Sequence, residues 1–250
     1  MAVYNKNFLD KVIWRIDFEK IALANVAAFQ AVIATDFPTG EQMSNEQVSV
    51  SIDAQTKNVS TATETALAWK FHAADRTKRV EIASQHCYIE FDHYIDSTDL
   101  LKCVALVESA LIANFNLKEV SRFGLRYLNI IKLKDEADFS WSKYLHNDLL
   151  AGLRMQTVMD GDTGLARWMG NLIYNFESQS LNYKFGIWNQ DFPANNVRKE
   201  FILDLDCRSN LPFEIQSGTL TDTAKSYNKI IEKAFEASIT DGLRAVLNEE

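Results

Sequence analysis

Cysteine is scarce in this sequence, and its distribution excludes several kinds of protein. The three cysteines, Cys87, Cys103 and Cys207, are far apart and form no closely spaced pair. This spacing argues against a thiolate zinc site, a thiol redox motif and a disulfide-rich domain. Because neighbours such as Ile89 and Leu205 are apolar, we expect no intramolecular disulfide, and we expect Cys87 and Cys207 to be buried.

Histidine is scarce as well, and the glycine motifs of nucleotide-binding enzymes are absent. None of the four histidines has a partner at metal-ligand spacing, which argues against a zinc or histidine-based enzyme. The sequence contains no phosphate-binding Gly-x-x-x-x-Gly-Lys-Ser/Thr loop, no His-Glu-x-x-His and no Gly-x-Ser-x-Gly. We therefore expect no catalytic residue of these classes, no metal and no cofactor.

Long apolar runs and an excess of positive charge are absent too. No run approaches the roughly 20 residues that span a bilayer, and the first residues lack the apolar segment of a signal peptide. The formal net charge of −8 repels phosphate backbones. These observations predict a cytoplasmic protein with no membrane contact and no broad nucleic-acid binding.

Alternation of apolar and polar residues predicts strands that are buried on one face. In the first of them Val12, Trp14, Ile16 and Phe18 share a face. Similar patterns occur at residues 48–52, 67–73, 80–91, 123–133, 172–176, 181–187 and 201–207. Strands with one apolar face are typical of antiparallel sheets.

Apolar stripes and stop signals predict helices over residues 20–35, 98–115 and 222–240, a short helix around 141–150, and a loop over 152–167. The first helix stops before Pro38, which cannot continue the hydrogen-bond ladder. Ser97 or Thr98 is the predicted cap of the second helix, and Thr221 or Asp222 is the predicted cap of the last.

The order of these elements repeats along the chain. Residues 10–116 give a strand, a helix, several strands and a long helix, and residues 119–248 give the same order with one strand fewer. A half-buried sheet needs a helix layer over its apolar face. We therefore predict an α+β fold of two similar helix-on-antiparallel-sheet halves, residues 1–117 and 118–250, packed as one unit and related by internal duplication.

The other face of the predicted sheet is polar and ionic. Six candidate binding residues on three strands point to it, namely Arg122, Arg126, Asp204, Asp206, Lys70 and His72. On one interpretation they form solvated ion pairs that contribute roughly 0.2 to 1 kcal/mol each. On the other, the arginines bind an anionic group of a small ligand or a partner, in a groove or a subunit interface.

Carboxylates on this face support a separate hypothesis. Asp204 and Asp206 share one strand face, and Asp17 and Glu19 lie where the first strand ends. Oxygen ligands of this kind hold magnesium in nucleotidyl-transfer sites. A metal-dependent enzyme acting on nucleotides is therefore the alternative function.

Three stretches of the sequence carry a family resemblance. Residues 121–131, which contain Arg-x-Gly-Leu-Arg-Tyr-x-Asn, and residues 235–244, which contain Phe-Glu-x-Ser-Ile-Thr-Asp, resemble the hallmark stretches of a sporadically distributed family of bacterial and archaeal proteins of about this length. Residues 7–18 are similar to the same family's N-terminal stretch. Such a distribution is typical of mobile accessory or defence genes, so the resemblance implies a role in a bacterial defence or toxin-neutralising system and implies no particular reaction.

The sequence as a whole predicts a non-enzymatic binding or assembly component. Its partner would be another protein or a second copy of the chain. A predicted sheet ends in edge strands, which invite pairing unless they are covered, and a self-complementary contact is the commonest way in which soluble proteins associate. We therefore expect a homodimer.

Overall fold

Nine strands form one antiparallel sheet in the computed structural model, which describes residues 4–52, 59–133, 140–155, 164–195 and 200–249. The strands are β1 (Leu9–Asp17), β2 (Thr39–Ile52), β3 (Val59–His72), β4 (Lys78–Ala83), β5 (His86–Phe91), β7 (Arg122–Lys132), β8 (Trp168–Asn175), β9 (Gln179–Ile187) and β10 (Glu200–Ser209). A separate ribbon pairs β6 (Glu119–Val120) with β11 (Phe213–Glu214). Most of the predicted loop lies outside the described residues, at positions 156–163.

The helices confirm the predicted α+β class. They are α1 (Val26–Ile33), α2 (Ser97–Phe115), α3 (Ala151–Met155), α4 (Thr219–Ser238) and α5 (Asp241–Leu247). Short 3-10 turns cover Leu23–Asn25, Trp141–Lys143 and Asn147–Leu150. In the described part of the chain, no helix combines the length and the apolar character needed to cross a membrane.

The strand order is nearly mirrored about the centre of the sheet. The order is β2-β3-β4-β5-β1-β7-β10-β9-β8, so β1 and β7 pair at the middle. In each half, the first strand is central, the last strand lies beside it and the second strand of the half is at the edge. The first half has one strand more than the second, which the sequence pattern predicted.

The apolar face of the sheet and the helices enclose one core that crosses the junction of β1 and β7. Trp14 and Phe123 are fully buried, and their rings meet edge to face with centroids 6.0 Å apart. The ring of Tyr227 in α4 meets Phe123 in the same way, with centroids 5.0 Å apart. Burying a large apolar side chain contributes roughly 1.5 to 3 kcal/mol. The two halves therefore share their most buried rings.

Helices α2 and α4 are joined by a buried carboxylate. Glu108, in the middle of α2, is 2% exposed. Its Oε1 accepts a hydrogen bond from the backbone N–H of Leu220 at 2.9 Å, and its Oε2 accepts one from the Thr221 hydroxyl at 2.7 Å. The first N–H groups of a helix have no partner within the helix. Glu108 of α2 thus supplies the hydrogen-bond acceptor that the first N–H groups of α4 lack within their own helix.

The predicted helix caps are wrong in both long helices. The side chain of Asp96, and not that of Ser97 or Thr98, accepts hydrogen bonds from the first turn of α2. Helix α4 begins after Gly218, which has a positive φ of 92° and offers no side-chain cap. The predicted short helix is instead two 3-10 turns, and the predicted loop begins with the helical turn α3.

All three cysteines are buried free thiols. The predicted burial of Cys87 and Cys207 is confirmed, since both side chains are fully inaccessible. Burial raises the pKa of the Cys103 thiol to about 11 and that of the Cys207 thiol to about 12. Thiols with raised pKa values are poor nucleophiles at neutral pH.

Candidate functional site

The sheet face opposite the helices, called the open face below, carries ion pairs between neighbouring strands. Arg126 of β7 and Asp204 of β10 form one of them, in which Nε lies 2.6 Å from Oδ1 and Nη2 lies 2.9 Å from Oδ2. The Asp204 side chain is 10% exposed, whereas that of Arg126 is 42% exposed. Two parallel hydrogen bonds of this kind are the strongest form of an arginine–carboxylate contact.

Arg122 has a looser environment than Arg126. Its Nη1 lies 3.8 Å from Oδ2 of Asp17, and its side chain is 47% exposed. Asp17 already accepts a hydrogen bond from Nε of Arg15 at 2.7 Å. Arg122 and Arg208 also line a shallow depression of about 320 Å³ at the end of β7. Of the two predicted arginines, Arg122 is the one whose guanidinium stays more available to a ligand.

Asp206 lies opposite Arg126 in the pairing of β10 with β7. Burial raises the pKa of its carboxyl group, and the charges of Arg122, Arg126 and Arg208 oppose that change. Among the described residues, no hydrogen bond reaches the Asp206 side chain. The four predicted residues on β7 and β10 therefore lie together, and the charges of three arginines act on Asp206.

Lys70 and His72 lie on the open face but apart from this cluster. They belong to β3, and three strands separate β3 from β7. Neighbouring strands are about 4.8 Å apart, so the separation is roughly 19 Å. Lys70 Nζ lies 3.4 Å from Oε2 of Glu81, and His72 Nε2 lies 2.9 Å from Oε1 of Glu41. The six predicted residues thus occupy two separate places.

Glu81 is the common partner of the residues around Lys70. It accepts a hydrogen bond from the Tyr88 hydroxyl at 2.7 Å, and His86 Nε2 lies 3.3 Å from its other oxygen. Burial by itself would raise the pKa of Glu81, but the contacts with His86, Tyr88 and Lys70 outweigh burial and lower that pKa to about 2. Glu81 is therefore an ionised, fully partnered carboxylate.

Two of the four carboxylates of the magnesium hypothesis, Asp17 and Asp204, are engaged with arginines. Asp17 is bound by Arg15, and Asp204 is bound by both arms of Arg126. Across the residues that the structure describes, no three histidine, cysteine, aspartate or glutamate side chains come together as a metal site would require. The geometry gives this hypothesis no added support.

The edge strand β8 exposes apolar side chains on both of its faces. It pairs with β9 on one side, and no described strand pairs with its other side. Leu172, Ile173, Tyr174 and, just after the strand, Phe176 are each between 42% and 55% exposed. No residue of β8 is charged. Edge strands are ordinarily protected by charged residues, proline or bulges, so β8 lacks most of that protection.

The sequence pattern misplaced these side chains. Leu172, Tyr174 and Phe176 were expected to lie on a buried face, because they alternate, and the structure exposes all three. The sequence did contain a signal that this strand differs from the others. Ile173 lies between Leu172 and Tyr174, so the strand is apolar on both faces. A strand that is apolar on both faces needs a second covering layer or a partner.

The chain was also compared with known proteins. No protein-family model and no curated protein matches it. The resemblance carried by residues 7–18, 121–131 and 235–244 therefore remains an expectation from the sequence.

Proposed function

We propose that this chain is a non-enzymatic assembly protein that forms a homodimer through β8. The observation that supports the proposal is the uncharged edge strand with exposed apolar side chains on both faces. A second copy is the proposed occupant because a twofold contact requires a self-complementary surface. An uncharged strand placed antiparallel to itself brings no like charges together. The pairing would extend the sheet from one copy into the other.

The stability of this dimer depends on both apolar burial and main-chain hydrogen bonds. Covering Leu172, Ile173, Tyr174 and Phe176 removes about half of each apolar side chain from water, which contributes roughly 1 kcal/mol per residue in each copy. Association costs an estimated 4 to 15 kcal/mol in lost freedom of motion. The gain from apolar burial and the cost of association are similar in size. The main-chain hydrogen bonds of the new strand pair add to the gain. Association at tens of micromolar therefore requires those hydrogen bonds to contribute about 7 kcal/mol in total.

The experiment places a charge in the proposed contact. Ile173 is exposed, so Ile173→Lys should leave the fold intact while bringing two like charges close together in the dimer. We expect the wild type to sediment as a dimer at tens of micromolar and the variant to sediment as a monomer with an unchanged far-UV circular dichroism spectrum.

A matched control tests the position rather than the charge. Leu67 in β3 is an apolar residue of the same sheet whose exposed fraction is 44%. It lies far from β8. Leu67→Lys should remain dimeric. A monomeric wild type, or an Ile173→Lys protein that is still dimeric, would contradict the proposal.

We also propose that the two halves descend from one duplicated unit. The nearly mirrored strand order supports this, as do the buried stripes of the two long helices, in which Leu100, Val104, Val107 and Leu111 match Leu220, Ala224, Tyr227 and Ile231 in spacing. An experimental structure in which no single twofold rotation carries β1 and α2 onto β7 and α4 would contradict the duplication.

A further inference from the structure

A cavity of about 560 Å³ lies on the helix side of the sheet. It is bounded by the N-terminal segment before β1, the start of α2, the core face of β7 and the middle of α4. Sites for small molecules typically have volumes of roughly 300 to 1,000 Å³. The cavity is separate from β8 and from the open face, so neither the proposed dimer nor the arginine cluster accounts for it.

Aromatic rings make up much of the cavity wall. Tyr4, Phe8, Tyr94, Tyr127 and Phe235 all line it. The faces of aromatic rings carry partial negative charge and attract cations, and aromatic cages are a common means of binding ammonium groups. The wall therefore suits an apolar molecule, and it suits a cationic one better than an anionic one.

A chain of buried hydrogen bonds ends on a carboxylate at this wall. The hydroxyl oxygens of Tyr94 and Tyr127 are 2.8 Å apart, and Tyr127 donates to Oδ1 of Asn228 at 2.6 Å. Asn228 Nδ2 donates to Oε1 of Glu232, also at 2.6 Å. Because an ionised carboxylate only accepts hydrogen bonds, the donors all run toward Glu232. Its Oε2 accepts no hydrogen bond from a described residue.

The other charged groups at the cavity are engaged or exposed. Glu236 pairs with Arg244 at 3.2 Å, and Asp96 accepts hydrogen bonds from the first turn of α2. Lys229 and Lys233 are exposed at the rim, where water and salt screen their charge. Oδ2 of Asp96 also accepts no hydrogen bond from a described residue, but Asp96 is exposed to water. Glu232 is therefore the partly buried acidic group of the described lining that has an oxygen left for a ligand.

The three stretches that carry the family resemblance meet at this cavity. Phe8 belongs to residues 7–18, Tyr127 and Asn129 belong to residues 121–131, and Phe235 belongs to residues 235–244. Asn129 is 4% exposed, its Nδ2 donates to the carbonyl of Leu203 at 3.3 Å, and its Oδ1 accepts no hydrogen bond from a described residue. A second acceptor thus lines the same cavity.

We propose that the cavity binds an organic cation, an amine or ammonium group carried on an apolar body. The cationic group lies against the aromatic rings and donates to Glu232, and Asn129 supplies a further acceptor. The apolar body fills the rest of the cavity. Burial raises the pKa of Glu232, whereas the hydrogen bond from Asn228 and the charge of Lys229 oppose that change. A bound cation acts in the same direction as these opposing groups.

The test uses three probes that share an indole ring and differ in the charge of the side chain: tryptamine, which is cationic, tryptophol, which is neutral, and indole-3-propionate, which is anionic. Isothermal calorimetry on the full chain measures each affinity. We expect tryptamine to bind most tightly and indole-3-propionate to bind most weakly.

Two charge-removing variants locate the interaction. Glu232→Gln should lower tryptamine affinity at least about tenfold, as expected for the loss of a charged hydrogen bond, and should leave tryptophol affinity nearly unchanged. Lys233→Gln, the matched control at the exposed rim, should not weaken the binding of tryptamine.

A third variant, Ser97→Trp, narrows the cavity mouth and should weaken the binding of all three probes. Far-UV circular dichroism checks that each variant is folded.

Three results would overturn the proposal. One is the absence of tryptamine binding at millimolar concentration, and another is equal affinity for the cationic and anionic probes. The third is a folded Glu232→Gln protein that binds tryptamine as the wild type does. None of these results depends on whether the chain is a dimer.

Discussion

Arg126 and Asp204 hold each other in a bidentate pair across β7 and β10, with Nε 2.6 Å from Oδ1 and Nη2 2.9 Å from Oδ2. Both arms of the guanidinium are committed to a carboxylate that is almost fully buried. The neighbouring arginine on the same strand face, Arg122, has only a 3.8 Å contact with Asp17. The two arginines that look equivalent in the sequence therefore have different roles.

The first prediction separates these roles by replacing each arginine with lysine. Arg126→Lys keeps the charge but loses the planar fork, so we expect it to lower the free energy of unfolding by about 1 to 2 kcal/mol. Arg122→Lys should change it by less than about 0.5 kcal/mol, because exposed ion pairs contribute little. Urea unfolding measures both. Equal losses in the two variants would show that the bidentate geometry is unimportant.

Arg122 is accordingly the residue with which to test anion binding on the open face. Calorimetry with inorganic phosphate should show weaker binding to Arg122→Lys than to the wild type if this guanidinium recognises an anionic group. Identical titrations of the two proteins would leave the open face as a surface of solvated ion pairs.

The second prediction concerns Glu108, which satisfies the first turn of α4. Glu108→Ala leaves a buried N–H group, a partly buried N–H group and a hydroxyl without their acceptor, so we expect a loss of about 2 to 4 kcal/mol in the free energy of unfolding. Asp96→Ala removes an exposed cap from α2 and should cost only about 1 kcal/mol. If thermal unfolding ranks the two variants in the opposite order, the link between α2 and α4 is not important for stability.

The third prediction is a pH dependence set by Glu81. Its pKa is lowered from 4.5 to about 2, so its carboxylate stabilises the fold above pH 4.5. That contribution is lost as the pH falls from 4.5 toward 2, because the unfolded chain then binds the proton more readily. Its size is at most about 3 kcal/mol.

Unfolding titrations of Glu81→Gln between about pH 5 and pH 2 measure this contribution. The variant should lose less stability over that range than the wild type does. Glu177→Gln, at an exposed glutamate between β8 and β9, is the control and should follow the wild type. A Glu81→Gln protein with the wild-type slope would assign the acid sensitivity to other carboxylates.

Strand periodicity predicted most of the sheet, because a strand buried on one face must alternate. It failed for the first part of β2, where residues such as Glu41 and Gln42 show no apolar alternation. β2 pairs with β3 over the whole length of β2, from Thr39 opposite His72 to Ile52 opposite Val59, and this pairing holds the first part of the strand in the sheet. Hydrogen bonding between two strands does not require apolar alternation in either strand, so the local sequence does not reveal it.

The candidate sites show the same limit. Alternation placed Arg126 and Asp204 on one face, but the register that makes them partners depends on how β7 meets β10. The start of α4 could not be located because its acceptor, Glu108, is far away in the sequence. The cavity gathers side chains from separated segments, and only tertiary packing brings Phe8, Tyr127 and Glu232 to one wall.

The central position of β1 has a consequence for how the chain is made. β1 precedes both of its partner strands in the chain, and one of its edges is completed by β5, within the same half. Its other edge waits for β7, which follows only after α2. At ordinary rates of translation, the delay from the end of β5 to the end of β7 is about 2 to 8 seconds. During this interval one edge of β1, from Val12 to Ile16, has no strand partner in the nascent first half, and a chaperone or a neighbouring nascent chain can reach that edge before the second half covers it.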